Sequence, residues 1–64
     1  MTNEIIEMIK DTEITMITKK RRKEFKVYVS DVWDNGKVIV GWYTNRFGKL
    51  DLKQFNMNEY DFCL

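Results

Sequence analysis

Five consecutive cations, Lys19-Lys20-Arg21-Arg22-Lys23, are the densest chemistry in this chain. Like charges this close repel one another, and nothing about folding requires them to be adjacent. Phosphates would relieve the repulsion and release counterions, which is how proteins hold a nucleic-acid backbone. Tyr28, Tyr43 and Phe47 could add flat rings on which bases stack. The run is weakly specific by itself. An acidic protein would also satisfy it, and so would water around a loop that keeps an edge strand from aggregating. Lys19, Lys20, Arg21, Arg22, Lys23 and Phe47 are therefore one candidate binding set, for nucleic acid.

Catalysis is poorly supplied. There is no histidine, so the usual general base is missing. Cys63 is the only cysteine and has no local partner to lower its pKa; a buried apolar place in a terminal strand explains it more simply. Asp31, Asp34 and Asp51 could pair as carboxylates only inside a cleft, and solvated turn and strand-edge acids are the simpler reading. Gly36, Gly41 and Gly48 fit turns and a strand interior, not a phosphate loop or dinucleotide fingerprint. A zinc site lacks ligands. No catalytic residue, metal or cofactor is expected, and the chain is predicted not to be an enzyme.

With 64 residues the chain makes a single domain, residues 1–64. A domain this small buries only about 60% of its unfolded surface, so its stability is marginal. Disulfides within the chain are excluded, and one thiol suits a reducing compartment. A dense apolar core must serve instead, and 44% hydrophobic residues with 14% aromatics can supply it. Glu4 and Glu7 interrupt the first apolar stretch, which does not read as a secretion signal. No run approaches the roughly 18 apolar residues of a membrane span. The expected location is the cytoplasm, with no membrane partner. Residues 14–55 carry ten Lys or Arg against four acids, whereas the flanks carry one lysine against six acids. A basic middle between acidic ends suggests a surface with two sides.

The elements that would position these groups follow from periodicity. Ile5, Ile6, Met8 and Ile9 have the spacing of one helical face, and Thr2 or Asn3 can cap it, predicting a helix within residues 1–11 that ends near Asp11. Two to three turns are unstable alone, so this helix must dock on its own sheet or on a partner. A β-rich body then fills residues 13–64. Residues 13–18 read as a strand, 19–23 as an exposed loop, and 25–33 with 37–43 as a hairpin. Asn35-Gly36 is the preferred two-residue turn, since both central positions need positive φ. Residues 49–53 alternate as a half-buried strand. Asn56 and Glu59 have capping-box spacing for a helical turn over 54–59, and 60–64 close the chain as a last strand.

The turn sets a register in which Trp33 faces Val38, Val29 faces Trp42 and Tyr28 faces Tyr43. One face then holds Phe25, Val27, Val29, Trp33, Val38, Val40 and Trp42, with Asp31 as a misfit. The other holds Tyr28, Val32, Ile39 and Tyr43. If the helix does not cover that second face, its four residues make a protein-interaction patch rimmed by charge.

Tight turns, five strands and a short helical turn before the last strand resemble an SH3-like small barrel. Lys37-Val38-Ile39-Val40-Gly41-Trp42-Tyr43, Arg46-Phe47-Gly48 and Leu50-Asp51-Leu52 resemble the central hairpin of its Tudor-type members. The resemblance covers residues 13–64 at the level of pattern. Tudor-type members read methylated side chains in an aromatic cage, and no motif here places such a cage. The expected fold is mainly β within the α+β class: a short N-terminal helix and a four- to five-stranded antiparallel meander, closed as a small barrel or left as an open sheet. The expected function is a small regulatory or inhibitory protein that docks on a larger protein. The Lys-, Asn- and Ile-rich composition resembles that of phage and mobile-element accessory proteins. The alternative is the nucleic-acid-binding module, against which the net charge of +1 argues mildly.

Overall fold

In a computed structural model covering residues 1–64, Thr2 opens the first element. Its backbone is extended, and its Oγ1 accepts a hydrogen bond from the Ile5 N–H at 3.2 Å, which caps helix α1 (Asn3–Ile9). The helix ends two residues sooner than its apolar spacing predicts. Lys10 turns out of the helix, Asp11 takes φ 57, and the Thr12 hydroxyl donates to the Ile9 carbonyl at 2.6 Å. The exit is tied down by two backbone bonds, Asp11 N–H to the Val29 carbonyl and Val29 N–H to the Thr12 carbonyl. Ile9 is wholly buried and docks the helix on its own sheet, while Met8 stays exposed.

Five strands follow: β1 (Glu13–Thr18), β2 (Glu24–Trp33), β3 (Val38–Thr44), β4 (Leu50–Asn56) and β5 (Tyr60–Cys63). All neighbouring pairs are antiparallel, and the strand order is β4-β3-β2-β1-β5. The expected class is the one formed, in its open-sheet version. Strands β1 to β4 are a meander, but β5 returns to pair with β1, so β4 and β5 are the two edges. Flat strands about 4.8 Å apart would place those edges roughly 19 Å from each other. The four residue steps from Asn56 to Tyr60 reach at most about 14 Å. The sheet therefore curls strongly.

The helical turn expected over 54–59 does not form. Gln54, Phe55 and Asn56 continue β4, because Phe55 is needed in the core. The connection 57–59 is instead an Asx turn, in which the Asn56 side chain accepts from the Asn58 N–H at 3.0 Å. Backbone bonds from Met57 N–H to the Lys37 carbonyl and from Lys19 N–H to the Glu59 carbonyl fasten it to the β2–β3 turn and to the β1–β2 loop.

At the β2–β3 turn, Asn35 (φ 55) and Gly36 (φ 93) have the positive φ that the sequence predicts, and Trp33 opposes Val38 as expected. Beyond Asp31 the register departs by one residue. Val29 opposes Gly41 and Tyr28 opposes Trp42, because Ser30 is an extra residue in a β-bulge. Asp31 explains the bulge. Strict alternation would turn its carboxylate inward beside Val27 and Val29, where burying a charge is expensive. The bulge turns it outward instead. There it accepts from the Val32 N–H and the Trp33 indole N–H, each at 2.8 Å, with Lys10 at 3.8 Å.

The indole hydrogen bond, then the backbone bond, holds the Asp31 carboxyl below its ordinary pKa. A depressed carboxylate contributes its stabilisation above the unfolded-state pKa and loses it as pH falls through the folded-state value. The Trp33 indole N–H resonance should accordingly titrate with a midpoint below the usual aspartate value of about 3.9. In Asp31→Asn that transition should vanish; an unchanged titration there would assign it to another acid.

The core lies on the inner side of the curl, where Ile9, Ile14, Met16, Val27, Val29, Ile39 and Phe55 form one buried cluster. Phe25, Val32, Tyr43, Met57, Tyr60 and Phe62 pack against it, half-buried.

A candidate protein-docking face and a basic cleft

The bulge redistributes the residues expected to form the docking patch. Ile39 is buried in the core, and Val32 and Tyr43 pack against the core from the same inner side. Tyr28 alone points outward. Tyr28, Val32, Ile39 and Tyr43 therefore do not share a face, because the one-residue shift at Ser30 carries Tyr28 to the opposite side of the sheet from the other three.

What Tyr28 joins on the outer side is a different apolar surface. It opposes Trp42, and Trp42 opposes Leu52, a row across β2, β3 and β4. Leu50 lies two residues along β4 on the same face, and Trp33 lies beyond the bulge on β2. All five are exposed, from 42% for Trp42 to 67% for Leu50. Tyr28, Trp42 and Leu50 line one shallow cleft with Glu13 and Lys26 at its margin and Tyr43, of the predicted patch, reaching its rim beside Thr44; Trp33, Val40 and Leu52 line another. The Lys26 ammonium is held at 2.8 Å from the Thr15 hydroxyl, so the margin is ordered.

Trp33, Trp42, Leu50 and Leu52 are absent from the patch that periodicity predicts. Alternation in 49–53 does show that Leu50 and Leu52 share a side. It does not say which side, and the leucines face out while Asp51 and Lys53 face in.

The basic run forms the loop between β1 and β2. Both are interior strands, so the run does not guard a sheet edge. Asp61 takes up two of its charges, with Arg22 at 3.1 Å and Lys19 at 3.9 Å. Lys20, Arg21 and Lys23 make no ion pair.

Phe47 sits in the β3–β4 loop, which Asn45 shapes by accepting from the Phe47 and Lys49 N–H groups at 2.9 and 3.0 Å. The residue is 74% exposed, with the Arg46 guanidinium 5.1 Å from the centre of its ring. A cleft behind it is floored by Phe25, Tyr43, Phe55 and Tyr60 and adjoins the cleft beside Lys19–Lys23; Lys23 and Tyr60 line both. Phe47 thus shares its cleft with Lys23 alone of the basic run, next to the cleft of Lys19, Lys20 and Arg21, whereas Tyr28 lies on the other face. The Lys53 ammonium stands 5.5 Å from the Phe55 ring and 6.0 Å from Tyr43.

Cys63 lies in β5 as expected, but it is exposed and not a buried filler. No three His, Cys, Asp or Glu residues gather where they could hold a metal ion. No helix is long and apolar enough to cross a membrane.

The fold and its surfaces define a small curled antiparallel sheet, apolar on its outer face and basic at one end of its inner face. No protein-family model matches the chain, and no curated protein or solved structure matches it.

Proposed function

We propose that this chain is a small non-catalytic regulatory or inhibitory protein that docks on a larger protein through the outer face of β2, β3 and β4. The observation that supports this is the exposed row Tyr28–Trp42–Leu52 with Leu50 and Trp33 beside it. The core is complete on the inner face, so folding does not need five large apolar groups in water. Large contiguous apolar patches mark interaction surfaces, and Trp and Tyr carry much of the energy where proteins meet. The partner should present an apolar surface of its own, with polar groups facing Glu13 and Lys26 at the margin.

The test uses affinity capture from nuclease-treated host lysate, with the parent protein and with Trp42→Ala/Leu52→Ser. A stoichiometric protein partner should be retained by the parent and lost with the double variant, whose melting should stay close to that of the parent. Partner binding that survives both substitutions would move the docking site elsewhere. Sedimentation of the purified protein covers the remaining occupant: a dimer abolished by the same substitutions would replace a foreign partner with a second copy.

A further inference from the structure

We infer that the basic β1–β2 loop and the aromatic cleft beside it form a second binding site, for a single strand of nucleic acid. The aromatic cleft opens on the inner side of the sheet and meets the clefts of the docking face only at its edge, where Tyr43, Thr44 and Lys53 are shared.

Three observations point to a polyphosphate strand. First, the two adjoining clefts carry six cations, Lys19, Lys20, Arg21, Lys23, Arg46 and Lys53, against three acids, Glu24, Asp51 and Glu59. Second, the free cations of the run have no structural employment. Asp61 pairs with Lys19 and Arg22, the strands the loop joins are interior, and Lys20, Arg21 and Lys23 make no ion pair. Third, an exposed aromatic residue, Phe47, stands in the adjoining cleft, which Lys23 also lines. Arg46 lies over the Phe47 ring, and the residue keeps 74% of its surface exposed, enough to offer ring surface to a base.

Successive phosphates running past Lys20, Arg21 and Lys23 would bring a base to Phe47. Stacking tolerates every base, since each has a π-face, so affinity should depend little on sequence. A duplex is disfavoured because its bases are stacked on one another and cannot offer a face to the ring. An acidic polypeptide would use the cations but not the ring.

Fluorescence anisotropy with labelled 15-mers of deoxythymidine and of uridine tests this across a salt series, with a labelled oligoglutamate as comparison. Binding to at least one oligonucleotide should weaken linearly with log salt. Changing Lys20, Arg21 and Lys23 together to alanine should flatten that slope by about 2, at roughly 0.7 per single-strand phosphate contact. Phe47→Ala should weaken binding about tenfold while leaving the slope unchanged, as loss of one stacked base predicts. Lys37→Ala, in the β2–β3 turn, should alter neither. Three results would overturn the site: no salt-sensitive binding at low ionic strength, equal binding of oligoglutamate, or affinity indifferent to Phe47.

Discussion

Replacing Phe55 by alanine is expected to unfold a large fraction of the protein at room temperature. Phe55 is 1% exposed and is the only buried residue of β4. Its ring meets Tyr60 at 5.3 Å, Phe25 at 5.7 Å and Tyr43 at 6.0 Å, so it joins four of the five strands through side chains alone. Removing such a ring costs about 3–5 kcal/mol, because transfer and cavity effects add. A domain of this size has only about 3–10 kcal/mol in total. The variant should therefore melt far below the parent or show no cooperative transition by circular dichroism. A loss under about 1 kcal/mol in urea would mean the ring is not the centre of the cluster.

Gly41→Ala should be comparably damaging, for the opposite reason. Gly41 faces inward in the middle of β3, and an added Cβ would lie 2.4 Å from Val27 Cγ1 and 2.7 Å from the Tyr28 carbonyl oxygen. The valine could be cut back, but the carbonyl belongs to the neighbouring strand and can move only if the strands part. The loss should reach the upper end of the roughly 1–3 kcal/mol typical of overpacking. Adding Val27→Ala should recover only part of it. Melting within a degree of the parent would show that β2 and β3 are further apart at this point than they stand here.

Both sites show how far the residues alone could be read. A helix cap at Thr2 or Asn3, the strand over 13–18, the Asn35-Gly36 turn and the Trp33–Val38 pairing were legible because each is decided locally. Asp31 was legible as a misfit. Its resolution was not, since a carboxylate on an apolar face can be absorbed by a partner, a strand end or a bulge, and only the neighbouring strands decide. That single choice separated Tyr28 from Val32, Ile39 and Tyr43, and with it the face expected to dock. Phe55 was misplaced for a related reason. Asn56 and Glu59 carry a real turn signal, but the demand for an aromatic ring in the core drew residues 54–56 into the strand. The nearness of Phe47 to the basic loop could not be read at all, because it depends on how strongly the sheet curls.

The return of β5 to β1 also bears on how the chain assembles. Hairpins between β1 and β4 close short loops, but pairing Thr18 with Tyr60 encloses almost the whole meander. Chain entropy makes a loop of that length about 2 kcal/mol harder to close than a five-residue one. This single long-range closure, across a seam only four residues wide on β5, sets the topological barrier to folding, while the meander can form from neighbours in sequence. Until that seam is zipped, β1 is itself an edge, with the backbone from Thr15 to Thr18 unpaired on the side that β5 will take.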